Sequence, residues 1–196
     1  DRGFVSVFSK GKDFFTASPP ATLCALKNSP QVTKKILPEF KKYMDPSITT
    51  PEIAYYEGRE GILAAYEDTL TSKTEILAIA SISDTESTFP RYVPKYYKRR
   101  KAAGILIKAI FPDTKKARAR HEKDKEELRI SRLIPSSLYH FTIELNIYDD
   151  KVAYFSMREK RAIIIKSAEI AENMRHFFSL CWEMAGLYEQ GISTTT

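Results

Sequence analysis

Apolar residues alternate with polar ones through Ile143, Leu145 and Ile147, stop at Asp149-Asp150, and resume at Val152 and Phe155. This period-two spacing predicts two strands joined by a tight turn, where Asp tolerates the left-handed backbone. Strand side chains point alternately to opposite faces, so Thr142, Glu144 and Asn146 share the face away from the apolar residues. A carboxylate and an amide on one face of a central strand either meet solvent or line a polar pocket.

The same pattern organises the rest of the chain. Residues 4–8 and 13–17 flank Ser9-Lys10-Gly11-Lys12 and predict a hairpin. Residues 21–44 carry Leu23, Leu26, Val32, Ile36, Leu37, Phe40 and Met44 at roughly helical spacing, interrupted at Pro30 and Pro38. Asp45-Pro46 through Pro51 reads as a linker, and a domain boundary is expected there. Beyond it, strands are predicted at Ile53–Glu57, Ile76–Ile82, Ile105–Phe111, Arg132–Pro135 and Ala162–Lys166, besides the hairpin. Helices are predicted from Gly58 to about Ser72, from about Arg91 to Ala103, and from an Asp113 cap to about Arg129. A last helix follows a Ser167 cap, with Ile170, Met174, Phe177, Phe178, Cys181 and Trp182 inward. Residues 83–88 read as a polar loop and residues 191–196 as a disordered tail.

Strands alternating with helices imply an α/β domain with a mixed, largely parallel sheet flanked by helices. In such open sheets ligands sit beyond the carboxyl ends of the strands. Those ends are Glu57, the Ser81–Asp84 stretch with Ser83 in it, Asp113, and Asn146 to Asp149.

Composition narrows the chemistry. The 196 residues are 43% apolar, enough for one substantial core and an appendage. A net charge of +6 is compatible with a nucleic-acid partner, but is also what a solvated surface supplies. Cys24 and Cys181 fall in apolar helical patterns and read as free core thiols, so a reducing, cytoplasmic setting is expected. Two cysteines and three scattered histidines offer no metal-ligand spacing, and no glycine-rich phosphate loop occurs. No metal or cofactor is therefore expected. No run approaches the roughly 18 apolar residues of a membrane span. His121-Glu122-Lys123 begins like the phosphodiesterase pattern H-x-K-x4-D, but Leu128 stands where the Asp belongs. The basic and aromatic run Lys95–Lys101 could hold phosphates; equally, its tyrosines could pack inward while its charges face water.

The stretches PEIAYYEGREGILAAYEDTL, IFPDTKKARARHEKDKEELR, SRLIP and ELNIYDDKVAYFS resemble the effector domain of TrmB-like transcriptional regulators. The resemblance covers residues 51 to about 185. It implies a phospholipase D-like effector domain over residues 51–190. It also implies that residues 1–18 are the wing hairpin of a winged-helix DNA-binding domain, with Lys10 and Lys12 at the DNA. Residues 19–50 would then be a helical linker, and the recognition helix would precede residue 1.

Phospholipase D-like enzymes carry H-x-K-x4-D on a strand and turn. Aligned on Asp149-Asp150-Lys151-Val152, that motif places Thr142 at the His, Glu144 at the Lys and Asp149 at the Asp. A threonine without a base is a poor phosphodiester nucleophile, and a carboxylate repels the phosphate that a lysine attracts. The resemblance thus implies a non-catalytic domain that senses a small polar ligand such as a sugar and forms a homodimer. The expected ligand residues are Glu57, Ser81, Ser83, Asp84, Asp113, Thr142, Glu144, Asn146 and Asp149. A ligand-free dimerisation scaffold and an active phosphodiesterase are the alternatives.

Overall fold

The structure is a computed structural model and describes residues 5–9, 13–17 and 51–191. The expected linker helix, Lys10, Lys12, Cys24 and the tail beyond Gly191 lie outside those residues. By their contacts, residues 1–49 and 50–196 form two compact units. In the first, strands β1 (Val5–Ser9) and β2 (Asp13–Ala17) pair antiparallel, Val5 opposite Ala17 and Ser9 opposite Asp13.

The second unit is a seven-stranded open sheet. Its strands are β3 (Glu52–Glu57), β4 (Ile76–Ile79), β5 (Ile107–Pro112), β6 (Arg129–Ile134), β7 (Ile143–Tyr148), β8 (Lys151–Ser156) and β9 (Arg161–Lys166). They lie side by side in the order β3-β9-β8-β7-β4-β5-β6. Five helices flank them: α1 (Gly58–Thr69), α2 (Ile82–Thr88), α3 (Val93–Ala102), α4 (Lys115–His121) and α5 (Ala168–Glu189).

The mixed α/β sheet is as expected, but its balance is antiparallel. Only β4–β5 and β5–β6 run parallel, and the other four pairings are antiparallel. The cause is loop length. Two-residue and four-residue connections turn β7 into β8 and β8 into β9 as hairpins, whereas β4, β5 and β6 are joined through α2, α3 and α4 as crossovers. Asp149, in the first hairpin turn, has φ +46, the left-handed backbone expected of it.

Alternation along β7 divides the core. Leu145 and Ile147 pack with Leu77, Val152, Ala171 and Phe178 on the α5 side. Tyr148 packs on the other side with Ile62, Tyr66, Phe155 and Tyr96, beneath α1 and α3. There Tyr66 stacks on Phe155 with ring centroids 4.3 Å apart, a contact worth about 1 kcal/mol beyond its buried area. Gly58 opens α1 at φ +73, and its N–H donates to the Lys160 carbonyl at 2.8 Å, tying the helix start to the β8–β9 loop.

Several elements differ from their sequence pattern. Strand β4 stops at Ile79, and the expected loop 83–88 belongs to α2, anchored by buried Ile82 and Thr85 three residues apart. Helix α4 ends at His121 rather than near Arg129. Leu128 has φ +52, and the Asp124 carboxylate accepts from the backbone N–H of Ser131, which starts β6 early. Thr114, not Asp113, caps α4 by accepting from the Ala117 N–H at 3.2 Å. On α5, Ser167 caps as expected and Phe178 is buried, but Phe177 is 60% exposed and Cys181 is also exposed. The single helix on that face leaves its flank uncovered.

Candidate functional site

The polar face of β7 organises a two-level site. At the lower level Glu144 turns its carboxylate inward beneath α1 and α2. One oxygen accepts from the Tyr66 hydroxyl of α1 at 2.7 Å and the Thr85 hydroxyl of α2 at 3.0 Å. The other accepts from the Asn146 side-chain amide at 2.8 Å. No cation pairs with it among the described residues. Burial pushes the Glu144 carboxyl above its ordinary pKa, and the three hydrogen bonds only partly counter this. Burial likewise holds the Tyr66 hydroxyl well above its usual range, reinforced by the neighbouring Glu144.

The adjoining cavity is about 50 Å³, lined by Tyr66, Thr85, Tyr96, Tyr97, Glu144 and Asn146 among others. That is room for about one or two waters, not for a sugar. Arg100 of α3, 1% exposed, closes its side and donates to the backbone carbonyls of Ile105, Glu127 and Leu128. The basic run on α3 therefore has an inward face of Tyr96 and Arg100, with Lys95, Lys98, Arg99 and Lys101 outward.

The upper level is a surface cleft of about 200 Å³. Asp84, Ser87 and Thr88 of α2 line it, with His140 and Thr142 ahead of β7 and Met157 and Arg158 of the β8–β9 loop. The Ser87 and Thr88 hydroxyls both donate to the Asp84 carbonyl, at 3.1 and 2.7 Å, which leaves their oxygens available to accept. The side chains of Asp84, His140, Thr142 and Arg158 make no hydrogen bond or ion pair to any described residue.

The structure thus brings Asp84 and Thr142 into one cleft and sets Glu144 and Asn146 into the cavity's wall. Ser81 precedes α2, where its carbonyl accepts from Thr85; Ser83 lies on α2 but lines neither space. The remaining expected residues stand elsewhere. Glu57 ends edge strand β3, separated from β7 by β9 and β8, and accepts from the Tyr55 hydroxyl at 3.2 Å. Asp113 pairs with Arg118 through two hydrogen bonds, which lowers its pKa. Asp149 sits at the far end of β7 and accepts from the backbone N–H groups of Lys73 at 2.9 Å and Thr74 at 3.1 Å. It anchors the α1–β4 connection and takes no part in the cleft.

Tyr66, Thr85, Ser87, Thr88, His140 and Arg158 were not among the residues singled out from sequence. For His140 a signal existed, since positions 140, 142, 144 and 146 continue one alternation. For the others none did. No group of three or more His, Cys, Asp or Glu among the described residues could hold a metal ion, and no helix among them is long and apolar enough to cross a membrane.

The seven-stranded mixed sheet with its five flanking helices is a fold shared with solved structures. The chain is similar to NucT from Helicobacter pylori, with TM-score 0.52 and 12% identity over 68% of this chain and 97% of that one. It is also similar to TrmBL2, an archaeal chromatin protein whose structure shows a novel mode of DNA binding. That match has TM-score 0.49 and 14% identity, covering 93% of this chain and 77% of that one. No family model and no curated protein matches the chain by sequence.

Proposed function

We propose that residues 51–191 form the non-catalytic effector domain of a TrmB-type transcriptional regulator, and that the cleft above Glu144 takes a small polar ligand such as a sugar. DNA would be engaged through an N-terminal winged-helix domain that includes the first hairpin, and the chain would act as a cytoplasmic homodimer. The observation that carries this reading is Glu144 itself. Where a phospholipase D-like enzyme presents a lysine to phosphate, this chain has a carboxylate whose oxygens are taken up by Tyr66, Thr85 and Asn146. A phosphate oxygen held where that lysine would hold it, at about 4 Å from the Glu144 carboxylate rather than out at Arg158, would meet a repulsion of about 4 kcal/mol at an effective dielectric of 20. Thr142, which the H-x-K-x4-D alignment puts at the nucleophile's place, has no base bonded to it among the described residues. The cleft that remains is smaller than the roughly 300–1,000 Å³ of drug-sized pockets and matches a ligand of monosaccharide size.

A thermal-shift screen of neutral sugars and other small polar metabolites tests the reading, run beside an assay with a chromogenic phosphodiester. One or more compounds should stabilise the chain saturably. At a hundred times Kd the gain is about 2.7 kcal/mol, a rise of roughly 5–11 °C. Thr142→Trp, which fills the cleft, should abolish the shift. Turnover of the phosphodiester without any saturable ligand would instead make the domain an enzyme.

A further inference from the structure

We infer that the ligand of the cleft is a hydroxylated anion: a small polyol bearing one carboxylate or phosphate group. This rests on the reading of the cleft as an effector site and goes beyond it by naming the charge of what binds.

The argument starts from the uncommitted groups. Arg158 and Asp84 carry opposite charges and line one cleft, yet they form no ion pair, and among the described residues neither side chain has another partner. Oppositely charged side chains that share a cleft and stay apart leave room for a ligand between them, one end of which each can satisfy. Arg158, with His140 as a second nitrogen donor, supplies the geometry that recognises a carboxylate or phosphate. Asp84 accepts only, and the Ser87 and Thr88 hydroxyls, their protons given to the Asp84 carbonyl, can also only accept, so that wall calls for a donor such as a row of hydroxyls.

The walls are also held in place. Met157, next to Arg158, is buried in the main core. Two residues further on, Lys160 takes φ +55 and its carbonyl accepts from Gly58, while the Glu159 N–H donates to the Ser156 hydroxyl at 3.2 Å. Arg158 is therefore the exposed tip of a pinned four-residue loop. On the other side Thr85 fastens α2 to Glu144, with Asp84 beside it. A neutral sugar would satisfy the Asp84 wall and leave the guanidinium unused. A bare anion would do the reverse.

Calorimetric titration of the 196-residue chain with glucose, gluconate, glucose 6-phosphate and inorganic phosphate decides the matter. Gluconate, glucose 6-phosphate or both should bind at least tenfold more tightly than glucose and than inorganic phosphate. The carboxylate and phosphate arms identify the head group. Arg158→Ala should bring the anionic polyols to within about threefold of glucose. Asp84→Asn should weaken every polyol while preserving the preference for the charged one. Neither side chain has a partner among the described residues, so both variants should keep the unliganded melting temperature, which serves as the folding control. Glucose binding as tightly as gluconate overturns the inference and leaves the effector reading standing. A preference that survives Arg158→Ala, or binding of inorganic phosphate as tight as that of the polyols, overturns it too. Absence of binding by all four probes, with no hit in the wider metabolite screen, removes both.

Discussion

Replacing Glu144 separates the two things its carboxylate does, which are to satisfy donors and to carry a buried charge. In Glu144→Ala the Tyr66 hydroxyl and the Asn146 amide lose their acceptor, while the Thr85 hydroxyl can fall back on the Ser81 carbonyl at 3.2 Å. Two stranded buried donors cost about 1–3 kcal/mol each, and loss of the desolvated charge returns part of that, so a net loss of about 2–3 kcal/mol is expected. For a chain of this size that lowers Tm by roughly 4–12 °C. Glu144→Gln keeps the shape and an acceptor oxygen, and should cost about 0–1 kcal/mol. The pH dependence sharpens the test. The folded-state pKa of Glu144 is raised, so its stabilising contribution is complete below the ordinary glutamate range and is lost as pH rises through the raised value. Other carboxylates, such as Glu67 held down by Arg99, titrate in the opposite sense, so the quantity to follow is the difference between two proteins. Urea unfolding of wild type and Glu144→Gln from about pH 4 to pH 8 should show the variant gaining on the wild type as pH climbs. If the wild type gains on Glu144→Gln instead, the three donors outweigh burial and the electrostatic account of this site is wrong.

Arg100→Met should cost about 2–4 kcal/mol in urea unfolding, because the carbonyls of Ile105, Glu127 and Leu128 lose a buried donor; Arg100→Lys, which lacks the planar fork, should fall between. A melting temperature for Arg100→Met equal to that of the wild type would mean water replaces the guanidinium. Asp149→Ala should lose about 1–3 kcal/mol, through two unsatisfied backbone N–H groups and a left-handed backbone that alanine disfavours. Asp149→Asn, which keeps an acceptor and tolerates φ +46, should retain most of the stability. Neither substitution should change ligand affinity in the cleft, and a tenfold loss of affinity in Asp149→Asn would contradict the placement of this residue.

What the sequence made legible was whatever a strict period decides. Two-residue alternation put Glu144 and Asn146 opposite Leu145 and Ile147, and the structure divides them that way. It said nothing about depth. Whether Glu144 would touch a ligand or hold the floor depends on Tyr66 and Thr85, which lie 78 and 59 residues away. Helix α2 leaves no mark in the sequence because seven residues with only Ile82 and Thr85 inward show no apolar stripe. The over-long α4 had the reverse cause. Charges at any spacing fit a solvated helix, and what ends this one, Asp124 capturing Ser131 and Arg129, is tertiary. Arg158 belongs to a hairpin loop, and nothing in its neighbours along the chain marks it as facing α2.

On the proposed reading of the cleft, the same geometry gives a bound ligand a route to the first helix of the sheet domain. A ligand shifts an equilibrium only through contacts that differ between two states. In this domain α2 is the element that both levels share. Asp84, Ser87 and Thr88 face the cleft, and one turn of the same helix puts Thr85 on Glu144. Glu144 is in turn the acceptor for Tyr66 of α1, the helix that follows directly on strand β3 and hence on the segment leading in from residue 50. If ligand binding moves α2 by a few tenths of an ångström, the Thr85 hydroxyl can exchange Glu144 for the Ser81 carbonyl, both of which lie within its reach. Glu144 then loses a stabilising donor and its pKa rises further. In the wild type, ligand binding should therefore take up protons near the Glu144 pKa, and in Glu144→Gln this uptake should vanish while affinity changes little. Calorimetry in buffers of different ionisation enthalpy measures the uptake directly. Equal proton uptake by the two proteins would place the transmission outside this carboxylate.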